Sequence, residues 1–128
     1  MSPALAARIF AGLTAIAAAF QLALALGAPW GEYAMGGMVR GAFPPALRAG
    51  AVAQMLLQLG MAAVVLARAD LAFPRLRRAA GPLAWAVTGL LAVSLVLNLI
   101  TPSAGERMIW APVVAVMALT ALRVAASR

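Results

Sequence analysis

The chain has 128 residues, of which 66% are hydrophobic and only 10% are charged. A soluble domain needs far more charge on its surface, so the composition excludes that class. The net charge of +7 comes from arginines that flank apolar runs, which is typical of membrane topology signals and not of a nucleic-acid-binding face. Histidine and cysteine are absent, so Ser–His and Cys–His nucleophiles are excluded. We expect no catalytic residue, no metal, no cofactor and no nucleic-acid partner.

Four long apolar runs predict four transmembrane helices, because each approaches the roughly 20 residues that cross a bilayer. The predicted helices cover about residues 5–27, 47–67, 83–100 and 108–124. The expected fold is all-α, an up-down bundle in the membrane that forms a single domain over residues 1–128. A signal peptide is the competing interpretation of the first run, because Ala23-Leu24-Ala25 is similar to a cleavage site. The run is longer than a usual signal core, which favours a retained helix.

The first connection, residues 28–45, is long and rich in glycine and proline. It contains Gly31, Gly36, Gly37, Gly41, Pro29, Pro44 and Pro45. That density is incompatible with a regular helix through the segment. Long connections in compact domains are often functional or ordered against another part of the chain. We therefore predict an outer loop with a structure of its own.

The arginines predict the orientation of the bundle. With four spans, both termini and the middle connection share one side, and that side holds seven arginines against three on the other. The seven are Arg8, Arg68, Arg75, Arg77, Arg78, Arg123 and Arg128. Positive loops stay inside, so both termini are expected in the cytoplasm. The exclusive use of arginine, with abundant alanine, glycine and proline, suggests a GC-rich bacterial genome and hence the bacterial cytoplasmic (inner) membrane.

Polar residues concentrate in the outer half of the predicted bundle. Gln21 lies about 8 Å below the outer end of helix 1, and Gln54 about 10 Å below the outer start of helix 2. Asn98 falls in the last turn of helix 3. Polar groups in lipid are costly and usually face the bundle interior, so these amides predict a pocket open to the outer side. The candidate ligand-binding residues are Glu32, Tyr33, Gln54, Asn98, Glu106 and Arg107.

Each candidate has an expected role in this pocket. Glu32 and Glu106 would accept hydrogen bonds or hold a cation. Arg107 would hold a carboxylate or phosphate, or lock Glu32 in place. Gln54 and Asn98 would orient the ligand. In the alternative interpretation the amides only bond across helices, each contributing about 0.6–2 kcal/mol, and the glutamates pair with arginines at a wet surface.

Two segments resemble a group of small bacterial membrane proteins of unknown function. The first is QLALALGAPWGEYAMGG, Gln21 to Gly37, followed by Pro45-Ala46-Leu47-Arg48. The second begins at Asn98 with NLITPSAGERMIWAPV. Proteins of that group are also predicted to have four helices, a Gly-Ala-Pro first connection and a Glu-Arg pair before helix 4. The resemblance covers most of the chain and implies the four-helix architecture and an emphasis on the outer side. It implies no mechanism.

These observations favour a non-enzymatic integral membrane protein. It would bind a lipid-like or small amphipathic ligand, or a partner, through the polar cluster in its outer half. One alternative is a structural or accessory subunit of a larger membrane complex. Another is a small transporter that acts as a homo-oligomer, because four helices rarely enclose a pathway. An enzyme would have to depend on Glu32 or Glu106.

Overall fold

The computed structural model describes residues 1–127 as an all-helical chain. Arg128, which the orientation argument counted among the inner arginines, lies outside the described residues. The four long helices are α1 (Pro3–Ala25), α2 (Pro45–Arg68), α3 (Arg77–Ile100) and α4 (Ala104–Ala125). Each is long and apolar enough to cross a membrane, so the chain is a multi-pass membrane protein. The predicted all-α bundle of four transmembrane helices is confirmed.

The bundle has two different ends. The loop end carries residues 26–44 and 101–103, and the termini end carries residues 1–2, 69–76 and 126–127. Helix α1 packs against α2 and α4, and α3 packs mainly against α4. The largest apolar core fills the part of the bundle from its middle to the termini end. Its principal side chains are Phe10, Met61, Val65, Val87, Leu91, Val114, Met117 and Val124.

Helices α2 and α3 diverge towards the loop end. The buried residues of α3 are Ala80, Ala84, Val87 and Leu91. Beyond Leu91 no residue of α3 is buried, although the helix continues to Ile100. On α2, Ala51 is the one buried residue before Gln58. The two helices are joined at the termini end by a short connection, and residues from their loop-end halves line a common space between them.

Glycine and aspartate terminate the first two helices. Gly27 adopts a φ of 102°, and the N–H of Ala28 donates to the carbonyl of Ala23 at 2.9 Å. This is the Schellman arrangement that closes a helix C-terminus. Asp70 takes the same place after α2 with a φ of 62°, and its carboxylate pairs with Arg77 at the start of α3. The short connection between α2 and α3 is therefore stabilised by an ion pair as well as by the backbone geometry of Asp70.

Helices α3 and α4 begin earlier than the sequence predicted. Helix α3 starts at Arg77 and has Pro82 inside it, because four good helix formers, two arginines and two alanines at 77–80, begin the helix before Gly81 and Pro82. Helix α4 starts at Ala104, because the hydroxyl of Ser103 accepts the N–H of Glu106 at 3.1 Å and caps the first turn. Pro112 consequently lies inside α4 and not in its first turn.

Candidate functional site

The first connection folds into a structured cover over the loop end. Two 3-10 turns, Gly31–Tyr33 and Met35–Gly37, form its centre. The N–H of Gly31 donates to the carbonyl of Gly41 at 2.9 Å. A Cβ atom on Gly31 would lie 2.2 Å from the carbonyl oxygen of Val39, so glycine is required for this close approach. The prediction that this glycine-rich segment has no regular helix but a structure of its own agrees with these turns.

The first turn of α4 fastens this cover. The hydroxyl of Ser103 donates to the carbonyl of Glu32 at 2.6 Å, and the N–H of Gly36 donates to Oε2 of Glu106 at 2.8 Å. A glutamate three residues after a capping serine ordinarily turns back to the serine N–H. Here the N–H of Ser103 donates to Oγ1 of Thr101 instead, at 3.3 Å. The carboxylate of Glu106 is therefore available to accept a hydrogen bond from the first connection. It also faces the space between the helices beneath this connection.

A cavity of about 560 Å³ lies beneath the cover, and residues from all four helices line it. Pockets that bind small molecules typically have about 300–1,000 Å³. Along α2 the lining extends from Leu47 to Met61, which is about 21 Å at 1.5 Å per residue. The hydrocarbon core of a bilayer is about 30 Å thick, so the cavity spans at least the depth of one leaflet.

The cavity opens sideways through the gap between α2 and α3. Several of its lining side chains on α2 and α3 are at the same time 48–61% exposed. They are Leu57, Leu90, Val93 and Leu97. In a membrane these surfaces face lipid, because no water reaches this depth from the side. The cavity is therefore continuous with the bilayer interior.

Four of the six candidate residues line this cavity, together with two further amides. The candidates are Tyr33, Gln54, Asn98 and Glu106, and the additional amides are Gln21 and Gln58. Glu32 and Arg107 are exposed and do not line it. The structure thus gathers residues from the first connection and from α1, α2, α3 and α4 around one space.

Gln58 is the residue that the sequence analysis undervalued. Its side chain lines the cavity near the middle of α2, and the residue is only 9% exposed. Its Oε1 atom has no hydrogen-bond partner among the described residues. The available signal was its position four residues after Gln54, which places both amides on one helix face, combined with its depth in the span.

Two of the three arginines near the loop end, Arg48 and Arg107, donate to backbone carbonyls. Nη1 of Arg107 donates to the carbonyl of Thr101 at 2.7 Å, where α3 ends. Nε of Arg48 donates to the carbonyl of Phe43 at 2.7 Å. Arg107 therefore does not lock Glu32 in place, because its guanidinium stabilises the end of α3. Among the described residues that line the cavity, Glu106 alone is charged.

Aromatic side chains form the wall of the cavity at α1 and α4. Phe20 and Trp110 both line it, with ring centroids 4.8 Å apart. Trp30, from the first connection, stacks on the same Phe20 at 6.5 Å. These contacts join the cover to the helices beneath it and make this wall rigid and apolar.

No family model, curated protein or solved structure matches this chain. The chemistry of the cavity is the basis for a functional assignment. Apolar walls, amides at two depths and one carboxylate beneath a fixed cover suit the binding of a molecule with an apolar body and a polar end.

Proposed function

We propose that this integral membrane protein binds one lipid-like or small amphipathic molecule in the cavity. The apolar part of the ligand lies along the walls between α2 and α3, and its polar end lies beneath the first connection. The observation that carries the proposal is a cavity of about 560 Å³ that has apolar walls from all four helices and one carboxylate, that of Glu106, beneath the cover.

The shape of the cavity supports a ligand that comes from the membrane. Its depth corresponds to one leaflet, and its side opening is lined by exposed leucine and valine side chains. Entry from the aqueous side is covered by the first connection, which Ser103 and Glu106 fasten to α4. A molecule already dissolved in the leaflet can enter without displacing this cover.

We place the loop end on the outer face of a bacterial cytoplasmic membrane, with both termini in the cytoplasm. The support is the arginine distribution, since exposed Arg8, Arg75 and Arg78 lie at the termini end. Because the chain has no cysteine, single substitutions Glu32→Cys and Arg75→Cys can be labelled with a membrane-impermeant maleimide in intact cells. Labelling is expected at position 32 only, and labelling at position 75 alone would reverse the orientation.

The binding proposal can be tested by filling the cavity at Gly50. Gly50 lines the cavity, and a Cβ atom there meets nothing within 4 Å. Gly50→Phe is therefore expected to occupy ligand space without a clash. Gly60 is the matched control, because it lies on the same helix, has equally open surroundings and does not line the cavity. Both substitutions improve helix propensity to a similar degree, so they should not differ in folding.

The measurement is native mass spectrometry of protein released gently from its membranes into a neutral detergent. Wild type and Gly60→Phe are expected to retain one amphiphile each, whereas Gly50→Phe is expected to lose it. Equal retention by the two variants would contradict binding in this cavity. So would the absence of any bound amphiphile from wild type, both as released and after an added excess of membrane lipid.

A membrane-protein partner or a second copy of the chain in the same opening is the competing proposal. It is favoured by the exposed apolar residues on the loop-end half of α3, which include Val93, Val96 and Leu97. It corresponds to the subunit and oligomeric-transporter alternatives. The same spectra separate it from ligand binding, because the added mass would be that of a protein chain, and Gly50→Phe would remove that chain.

A further inference from the structure

We infer that the polar end of the ligand is a cation, a protonated amine or a quaternary ammonium, held by Glu106 beside Tyr33 and Trp110. The inference rests on the proposed function, because it concerns the ligand of the same cavity. It goes further by naming the chemical class of the headgroup. Two independent features of the lining lead to it: its charge and its aromatic groups.

The charge of the cavity is negative. Glu106 is the one charged side chain among the described lining residues. One of its oxygens, Oε2, accepts the N–H of Gly36, and a carboxylate has capacity for further donors. The arginines of the loop end, Arg40, Arg48 and Arg107, do not line the cavity, and Arg48 and Arg107 each donate to a backbone carbonyl. In surroundings of low dielectric, an unneutralised carboxylate strongly favours a cationic ligand over an anionic one. A phosphate or carboxylate headgroup would bring a second negative charge to Glu106 in this cavity.

Two aromatic side chains accompany the carboxylate. Trp110 follows Glu106 by four residues and lies on the same face of α4, and both line the cavity. Tyr33 also lines it and rests directly on Gly105, where a Cβ atom would lie 2.6 Å from Cε1 of the tyrosine ring. Aromatic rings attract organic cations, and an aromatic group beside a carboxylate is the usual environment of a quaternary ammonium.

The test is a competition between three probes with the same alkyl chain: dodecyltrimethylammonium, dodecanol and dodecanoate. Equimolar amounts are added to the full-length protein in a neutral detergent, and native mass spectrometry gives the relative occupancy of each. We expect the cation to occupy wild type about tenfold more than either competitor, which corresponds to about 1.4 kcal/mol from its contact with the carboxylate and the aromatic rings. Glu106→Gln should remove this preference, while its amide oxygen still accepts the N–H of Gly36.

Glu32→Gln is the matched control. Glu32 is an exposed glutamate at the same end of the bundle whose side chain does not line the cavity. This variant should keep the full preference for the cation. Equal loss in both variants would assign the preference to general surface charge and overturn the inference.

The outcomes separate the inference from the function on which it rests. Equal occupancy of wild type by the cation and the alcohol, or a preference for dodecanoate, would overturn the cation assignment while amphiphile binding stands. Failure of all three probes to bind would overturn both. The comparison of probes on wild type decides the question even if Glu106→Gln does not fold.

Discussion

Replacing the buried amide of Gln58 by an isosteric apolar side chain should stabilise the empty protein. In Gln58→Leu the residue keeps its approximate volume and loses the Oε1 atom that has no partner among the described residues. Removing an unsatisfied buried acceptor recovers about 1–3 kcal/mol. For a chain of this length, each kcal/mol corresponds to roughly 3–5 °C in Tm. We therefore expect the Tm of the ligand-free variant to rise by at least about 3 °C.

The assay is thermal unfolding in a neutral detergent after extensive delipidation, followed by circular dichroism. Gln54→Leu is the control, because Gln54 lies one turn away on the same helix and is exposed, so its replacement should leave the Tm nearly unchanged. A lower Tm for ligand-free Gln58→Leu than for wild type would refute the reasoning, because it would mean that Oε1 is already satisfied.

Two further predictions concern the cover and its anchor. Glu106→Ala should lower the free energy of opening of the first connection by about 1 kcal/mol or more, because the N–H of Gly36 loses a charged acceptor. The backbone amides of residues 31–41 should then exchange hydrogen faster than in wild type. Glu106→Gln, which keeps an acceptor, should not show this increase. Gly105→Ala should lower the stability by about 1–3 kcal/mol in urea or thermal unfolding, because the new methyl group would displace Tyr33. The control Gly12→Ala, in open surroundings within α1, should instead be neutral or stabilising by up to about 1 kcal/mol. Equal losses for the two glycines would contradict the packing of Tyr33 on α4.

The number and order of the transmembrane helices were predictable from the sequence. Span length follows from bilayer thickness, so the four helices and their order could be derived from hydrophobic runs alone. An amide within a span must turn away from lipid, which is why Gln54 and Asn98 could be expected near one another. The structure places both in the lining of one cavity with Tyr33 and Glu106.

The choice of hydrogen-bond partners was not predictable in the same way. Arg107 bonds to the carbonyl of Thr101, because the end of α3 leaves carbonyls without helical partners directly beside it. No feature of the sequence distinguishes this acceptor from the carboxylate of Glu32. The start of α4, in contrast, was encoded in the Ser103-x-x-Glu106 spacing, which is a known capping pattern. Using it would have placed Pro112 inside the helix and Glu106 in its first turn.

No residue of α3 beyond Leu91 is buried, and this part of the helix borders the open side of the cavity. The ligand concentration that governs the occupancy of the cavity is therefore the concentration within the membrane. A space that is open to the leaflet exchanges its contents by lateral diffusion, so its occupancy depends on the mole fraction of a compound among the lipids. A sparingly water-soluble compound can be abundant there while its aqueous concentration is negligible. Modest intrinsic affinity is then sufficient for high occupancy. The apparent dissociation constant of such a site will change with the amount of membrane or detergent in the assay, and every host lipid is a competitor.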